Sequence, residues 1–438
     1  MNRILFLAAA LLLPAQLLTA QPAAAVTPQK VISDQGIEAW LVEDHSNPII
    51  SVEFAFKGGA ASDPADKAGL SSMVAGLLDE GAGDMDSQTF QGRMEDMAIG
   101  ISFSASQDAV YGHLKTVTTN KATAIDMMHL ALTQPRFDAD AVERIRGQML
   151  TALKRERQDP DSIAGRAFAR QVYGDHPYAR STQGDADTVK AITAADLKAF
   201  VPARLSRDTL TVGVVGDITP DQAKSMLDSL FSGMAEHSQA APVADYAPRT
   251  QGKVQILRHA IPQSVVLFGQ DGLKRDDPDW YAAYVMNYIL GGGGFSSRLM
   301  TEVRVKRGLA YGIYSYLVPH DHAALIEGSV GTRNDKVAET IKILREEWGR
   351  LAQGGVTPQE LSDAKRYLNG SFPLQLDSTA SIASLLVTLQ MEHLGMDYLD
   401  RRAALINAVT TADIQRVAQR LLDPAKLDMV VVGDPQGL

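Results

Sequence analysis

Apolar positions along the chain fall into short strand-like segments and longer helical blocks. Near the start, GIEAWLVEDHSNPIISVEFAFKGG contains two apolar segments separated by Ser46, Asn47 and Pro48, which predicts a β-hairpin. KVQILRHAIPQSVVLFGQDG has the same form and predicts a second hairpin. Strands mixed with long helical blocks predict an α+β sandwich, with helices on one face of a largely antiparallel sheet.

The chain also repeats itself. AITAADL recurs as AVTTADI, and VGVVGDI recurs as MVVVGDP. The pairs Asp196/Asp413 and Asp217/Asp434 are both 217 residues apart. Two matches in the same order and at the same offset indicate an internal duplication. Each half is expected to begin with strands, continue through helices and end in a strand closed by Gly-Asp.

The duplication predicts a division into two domains. The first spans residues 26–235 and the second spans residues 253–438. Between them, residues 236–252 (EHSQAAPVADYAPRTQG) show no periodicity and are predicted to be a linker. A length of 438 residues agrees with two domains, since single cores stop growing at roughly 250–300 residues. Two such domains could face each other as a clamp.

Composition and the N-terminal segment suggest where the protein works. The formal net charge of −10 argues against nucleic acid and anionic membranes as partners. Residues 1–25 combine Arg3, an apolar run interrupted by Pro14 and small residues before residue 26, which predicts a cleavable signal peptide and no membrane span. With no cysteine, the chain forms no disulfide or thiolate metal site. A periplasmic location is expected.

The segment GGGGFSSRLMTEVRVKRGLAYGIYSY carries the most specific pattern in the chain. After the glycine run, Ser296 or Ser297 can cap a helix, and Gly308 is expected to end it. LAYGIYSYLV then predicts a strand. This arrangement would place Arg304 in the last helical turn and Tyr311 at the start of the strand, close to each other.

Arg304 and Tyr311 are candidate binding residues. A guanidinium and a phenol at one place supply hydrogen-bond donors for a peptide carbonyl or for the oxyanion formed from it. The alternative is an exposed helical arginine beside a half-buried strand tyrosine, with no shared role.

On these motifs and the two strand endings VGVVGD and VVVGD, the chain resembles a pitrilysin-type (M16) zinc peptidase subunit of the bacterial M16B and mitochondrial-processing-peptidase type. The resemblance covers essentially all of the mature chain. It implies a tandem pair of α/β sandwiches with the LuxS/MPP-like metallohydrolase fold. It also implies that Arg304 and Tyr311 grip the substrate backbone. The glycine run either helps to handle peptides or is a flexible link between helices; it comprises Gly291, Gly292, Gly293 and Gly294.

The zinc-binding half of the family's active site is missing. Catalytic relatives carry His-x-x-Glu-His, two zinc ligands with a carboxylate base between them. The resemblance aligns this motif with KAGLSSMVAGLLDEG and places Ser72, Ala75 and Gly76 at the three catalytic positions. It places the third ligand near Ala152, while Glu156 lies at least one turn too far along. No metal ligand set therefore remains at these degenerate positions.

Other residues offer no clear replacement. Asp79 and Glu80 are poor zinc ligands on their own and are predicted to end an amphipathic helix. His320 and His322 in VPHDHAA are a close pair that could bind a metal or lie in an exposed hairpin loop. Motifs for phosphate loops, dinucleotide binding and serine hydrolases are absent from the sequence.

These features predict a non-catalytic subunit, inactive alone, of a heterodimeric periplasmic zinc peptidase. A homologous partner with His-x-x-Glu-His would hold the zinc, while this chain presents Arg304 and Tyr311 to the substrate peptide. The main alternative is a peptide-binding or scaffold protein of the cell envelope with no role in hydrolysis. A third, an autonomous peptidase, would require an unrecognised site.

Overall fold

A computed structural model describes residues 26–438, so the predicted signal peptide, residues 1–25, lies outside the described residues. The strands are β1 (Gln29–Ile32), β2 (Glu38–Glu43), β3 (Ile49–Lys57), β4 (Gly100–Ala105), β5 (Ala109–Val117), β6 (Leu210–Gly216), β7 (Val254–Arg258), β8 (Gln263–Asp271), β9 (Ala310–Pro319), β10 (Ala324–Arg333) and β11 (Asp428–Gly433). The α-helices are α1 (Leu70–Ala75), α2 (Ser87–Asp96), α3 (Lys121–Thr133), α4 (Ala139–Glu156), α5 (Pro160–Tyr173), α6 (Ala186–Ala191), α7 (Ala194–Arg204), α8 (Pro220–Phe231), α9 (Trp280–Asn287), α10 (Arg298–Met300), α11 (Val337–Gly354), α12 (Pro358–Gly370), α13 (Thr379–Met391), α14 (Tyr398–Ala408) and α15 (Thr411–Leu421).

The first sheet has the order β1-β2-β6-β3-β5-β4. β6 lies between β2 and β3, parallel to the former and antiparallel to the latter. The predicted hairpin of β2 and β3 is therefore wrong. β6 is apolar and almost wholly buried, so it needs ladder partners on both edges to satisfy its backbone groups.

The second sheet has the order β7-β11-β8-β10-β9 and repeats this arrangement. The fully buried β11 lies between β7 and β8, parallel to β7 and antiparallel to β8. The second predicted hairpin is wrong for the same reason. Because both sheets place their last strand between their first two long strands, the structure confirms the internal repeat.

Matching local chemistry accompanies the repeat. Thr193 caps α7 and Thr410 caps α15, each in a capping box with the aspartate three residues later. β6 and β11 both end in a glycine with positive φ, 139° at Gly216 and 151° at Gly433. The turn after each strand uses a backbone conformation that favours glycine.

One face of each sheet packs on helices from its own half. The first core joins this face of the first sheet to α1, α2, α3, α4, α7 and α8. The second core joins the equivalent face of the second sheet to α9, α11, α12, α14 and α15. These layers confirm the predicted α+β class.

The opposite face of each sheet is covered by a helix from the other half. α13 packs Ala383 and Leu386 with Val215 of β6, and α5 packs Phe168 with Val430 of β11. Helices thus cover both faces rather than the single face predicted, because the strands are apolar on both sides. Adding the repeat offset of 217 residues to the start of α5 gives residue 377, two residues before α13 begins. The two helices that cross to the other half therefore occupy equivalent places in the repeat.

The connection predicted as a linker has no helix or strand over residues 238–253. It is nevertheless held to both halves. The Tyr246 backbone N–H donates to the His322 carbonyl at 2.7 Å, and the Tyr246 hydroxyl donates to the Val172 carbonyl at 3.2 Å.

No single helix within residues 26–438 is both long and apolar enough to cross a bilayer. One consecutive pair meets the length and composition test only when taken together, across a bend of 119°: residues 358–375 and 379–391.

Candidate substrate-binding site

The helix and strand around Arg304 form as predicted, with one irregularity. The Ser297 hydroxyl accepts from the Met300 N–H at 3.4 Å, so Ser297 is the cap rather than Ser296. α10 continues as a π-helical turn over Thr301–Val305, which the sequence did not indicate. Gly308 then has a φ of 61° and β9 follows at Ala310. The chain is turned sharply at the predicted place.

This turn brings Arg304 and Tyr311 together. The Arg304 Nη1 donates to the Tyr311 carbonyl at 2.6 Å. The guanidinium carbon lies 4.2 Å from the centre of the Tyr311 ring and 4.6 Å from the centre of the Phe295 ring. These distances are within the range for cation–π contacts, so the guanidinium contacts both rings.

The group is open to a ligand. Tyr311 is 82% exposed and Phe295 65% exposed, which is unusual for large aromatic side chains. A guanidinium has five N–H donors, and one of them is used in the contact with Tyr311. Sequence reasoning missed Phe295, whose only signal is its position directly after the glycine run.

The glycine run packs against the edge strand β9. Gly291 is buried, and a Cβ built on it would lie 2.6 Å from the Ser315 backbone nitrogen. Beside it, the Asn287 Nδ2 donates to the Ser315 carbonyl at 3.0 Å, and the Ser315 hydroxyl donates to the Asn287 Oδ1 at 2.7 Å. Gly294 has a φ of 55°. At Gly291 the run is therefore a packed contact rather than a free link, and peptide handling by the run remains a prediction.

Replacing Gly291 by alanine should destabilise the protein by about 1–3 kcal/mol, because the added methyl group meets backbone atoms of β9 that cannot move independently. The free energy of unfolding in urea measures this. Gly92→Ala is the matched control, since nothing lies within 4 Å of its added Cβ and it sits inside α2. The free energy of unfolding of Gly92→Ala should rise by about 0.5–1 kcal/mol, because alanine is favoured over glycine inside a helix. Equal effects of the two substitutions would contradict the packing role.

The positions that the resemblance aligns with zinc ligands lie on α1, at its C-cap and on α4. The Ser72 hydroxyl donates to the Thr182 carbonyl at 2.7 Å, and Ala75 is buried. Gly76 faces Ile145, 3.5 Å from a built Cβ, and Ala152 is exposed. A hydroxyl, two methyl groups and a missing side chain do not fit zinc, which takes imidazole, thiolate and carboxylate ligands. Among residues 26–438, no group of three or more His, Cys, Asp or Glu could hold a metal ion.

The two acidic residues after α1 have structural partners. α1 ends at Ala75, so Asp79 and Glu80 lie in the following turn and do not end the helix as predicted. The Arg144 guanidinium donates to both Glu80 oxygens, at 2.9 and 2.6 Å, and holds the pKa of Glu80 below its usual range. Burial raises the pKa of Asp79 to about 6.

His320 and His322 lie in the loop that joins β9 to β10, so the predicted hairpin is confirmed. Both are half-buried rather than exposed. The nearest carboxylates differ: the His320 Nδ1 is 3.5 Å from Asp108 and the His322 Nδ1 is 3.2 Å from Asp245. The loop is thus held to the first half and to the connection between the halves.

A cavity of about 420 Å³ beside this loop is lined by a half-buried acid. Glu327 of β10 lies opposite Tyr316 of β9, and burial raises the pKa of Glu327 to about 7. His320 and Tyr316 oppose this rise only in part. Other titratable groups at the cavity are Asp161, Tyr173 and Tyr178.

Glu327 should make stability depend on pH. Between pH 4.5 and about 7, the folded protein holds this proton more tightly than the unfolded chain does. The resulting stability is present below pH 4.5 and is lost as the pH rises through 7. Relative to Glu327→Gln, the wild type should therefore lose on the order of 2 kcal/mol of unfolding free energy between pH 4.5 and about 8. Urea unfolding across this range measures the difference.

The matched control is Glu143→Gln, since the Glu143 side chain is 69% exposed. This variant should keep the pH dependence of the wild type. A constant difference between wild type and Glu327→Gln at every pH would contradict the role of Glu327.

Two family models match successive parts of the chain. Residues 39–186 match the model described as insulinase (peptidase family M16), and residues 191–368 match the model described as the peptidase M16 inactive domain. Together they span most of both halves.

Individual relatives extend the likeness. A Helicobacter pylori protein named a non-peptidase homolog is 27% identical over 401 residues, covering 90% of each chain. An uncharacterized zinc protease of Streptomyces coelicolor is 30% identical over 352 residues, covering 76% of each chain. The crystal structure of a peptidase M16 inactive domain from Pseudomonas fluorescens matches with a TM-score of 0.88 and 27% identity, covering 94% of this chain and 98% of that one. The match to an inactive domain and the side chains at Ser72, Ala75 and Gly76 support the prediction that the chain is not an active peptidase by itself.

Proposed function

The chain belongs to the M16 peptidase family, and we propose that it is the non-catalytic subunit of a heterodimeric zinc metallopeptidase in the periplasm. It holds the substrate peptide, and a homologous partner with His-x-x-Glu-His holds the zinc. The proposal rests on one contrast within the chain. The half-buried Arg304 and the exposed Tyr311 form a pair of donors, while Ser72, Ala75, Gly76 and Ala152 supply no zinc ligand.

Arg304 acts on the peptide backbone in this proposal. Its guanidinium is held by the Tyr311 carbonyl and by two aromatic faces, so its direction is set before the substrate binds. Free N–H groups of Arg304 and the Tyr311 hydroxyl can donate to a substrate carbonyl, and more strongly to the oxyanion that develops during hydrolysis. Water activation belongs to the partner. Assembly of the two chains places both functions on the same peptide bond, and proximity then supplies much of the rate.

Co-purification tests the proposed assembly. The tagged mature protein, purified from its native envelope, should bring with it in equal amount an M16 chain that carries His-x-x-Glu-His, identified by mass spectrometry. Mixing the two purified chains should produce zinc-dependent peptide cleavage that neither shows alone. Recovery of the protein by itself, with no gain of activity on mixing, would contradict the heterodimer.

A second candidate is a peptide-binding or scaffold protein without a role in hydrolysis. It is favoured by the Helicobacter pylori relative, whose name describes a non-peptidase homolog. This candidate predicts peptide binding that persists without turnover in the presence of every co-purifying chain.

A further inference from the structure

A basic cavity lies between the two halves of the chain. Its volume is about 650 Å³, and its walls are α5, the turn after it and the start of β7. Five cationic side chains line it: Arg157, Arg166, Arg170, Arg180 and Lys253. This concentration is unexpected in a chain with a formal net charge of −10.

The cations exceed the nearby acids. Asp185 lines the cavity, and Arg157 and Arg170 contribute to lowering its pKa, after its hydrogen bonds to Thr188 and Asp187. Glu156 is 3.2 Å from Arg166. Within the part of the chain that the structure describes, no carboxylate lies within 4.0 Å of the charged groups of Arg157, Arg170 or Lys253. The cavity therefore keeps an excess of positive charge.

Two of the arginines that line the cavity have a buried donor without a partner. Arg166 Nη2 and Arg180 Nε are buried and have no hydrogen-bond partner among the described residues. Buried polar groups are normally satisfied, so unpaired donors of this kind indicate a place for an acceptor. A carboxylate fits, because guanidinium groups bind its two oxygens with charge-assisted hydrogen bonds.

The cavity adjoins the degenerate zinc positions. Ala68, just before α1, and Ser181 both line it. The residue after Ser181 accepts the hydrogen bond from Ser72, which stands at a lost zinc-ligand position. Positive charge at this place disfavours a metal cation and favours an anion.

Apolar side chains accompany the charges. Ile163, Ala167 and Leu257 line the same cavity. A bare inorganic ion would leave these surfaces in water, whereas a peptide could cover them while its carboxylates meet the arginines. The volume lies within the range of cavities that take a ligand of several side chains.

We propose that this cavity binds the acidic side chains of a peptide, so that acidic peptides are the preferred ligands of the subunit. The proposal rests on the proposed function in that the ligand is a peptide. It adds the chemical class of that peptide and a second site of contact on the same chain, distinct from Arg304 and Tyr311.

Fluorescence anisotropy with the isolated mature chain tests this. The probes are two fluorescein-labelled ten-residue peptides, one alternating Glu with Ala and the other alternating Gln with Ala. The acidic peptide should bind about tenfold more tightly at low salt, and added salt should reduce that preference. The Arg157→Gln/Arg170→Gln double variant should bind both peptides equally. Both arginines are exposed, so the variant is expected to fold, which circular dichroism checks.

The control removes the same charge elsewhere. Arg93 of α2 is exposed, the Lys224 side chain of α8 is 41% exposed, and both lie outside the cavity, so Arg93→Gln/Lys224→Gln should keep the preference. Loss of preference in this control, equal binding of the two peptides by the wild type, or no binding of either would overturn the proposal. Inorganic phosphate that binds as tightly as the acidic peptide would also overturn it, in favour of a small-anion site. None of these results bears on the heterodimer, which is tested through its assembly and cleavage.

Discussion

Replacement of Arg304 by alanine in the assembled heterodimer should lower peptide turnover about 10²–10³-fold, the effect seen when one donor to a developing oxyanion is removed. The guanidinium donates one N–H group to the Tyr311 carbonyl and contacts two exposed rings, which leaves its other N–H groups for a substrate. Steady-state cleavage of a quenched-fluorescent peptide by the reconstituted pair measures the loss. It should appear mainly in kcat, because the interaction strengthens as charge develops.

Two further variants separate the role of Arg304 from effects on folding. Arg304→Lys keeps the charge but loses the planar fork, and should recover only part of the activity. Arg333→Ala removes an exposed arginine whose partner is Asp335, two residues along, and should leave turnover unchanged. Unchanged cleavage by Arg304→Ala, with the heterodimer intact, would remove Arg304 from the mechanism and favour the scaffold candidate.

Replacement of Asp63 by alanine should cost about 3–5 kcal/mol of unfolding free energy, because it leaves a buried arginine without its counter-ion. The Asp63 side chain is fully buried, and that of Arg204 is 9% exposed. Burial raises the pKa of Asp63 and lowers that of Arg204, so both charges carry a desolvation penalty. The two groups lie 3.5 Å apart, and Arg204 also donates to the carbonyls of Gly58 and Gly59 at 2.6 and 2.9 Å.

The loss should spread to α1. Asp63 accepts from the Ser71 backbone N–H at 3.0 Å and from its hydroxyl at 2.6 Å, which fixes the first turn of that helix. Urea unfolding measures the stability, with Asp335→Ala as the control. The exposed pair of Asp335 and Arg333 should contribute no more than about 1 kcal/mol. A similar small cost at Asp63 would show that the buried pair is replaceable.

The local features around Arg304 were largely predicted from the sequence, whereas features assembled from distant segments were not. The turn that joins Arg304 to Tyr311 depends on neighbouring residues, so its cap, its glycine and its strand could be identified. The two hairpins failed because β6 and β11 arrive from far along the chain and insert between strands that are adjacent in sequence. The apolar runs VGVVG and MVVVG indicate that both faces of these strands are buried, but they do not indicate which strands pair with them.

The candidate sites divide in the same way. The positions Ser72, Ala75 and Gly76 were assigned to the lost zinc ligands from one short motif, and that assignment stays a prediction. The basic cavity could not, because Arg157 and Arg180 come from the first half and Lys253 from the start of the second. Only the crossing of α5 over the second sheet brings them together. Phe295 likewise belongs to the candidate site only through its contact with the Arg304 guanidinium, which the sequence did not indicate.

The exchange of α5 and α13 makes the two halves mutually dependent. Each sheet presents Val215 or Val430 to a helix supplied by the opposite repeat, as in a domain-swapped dimer joined into one chain. A cut in the connection would not yield two self-sufficient modules, since each fragment would carry one bare apolar sheet face and one helix without its partner. We therefore expect the two halves to unfold together in one cooperative transition rather than as separate domains.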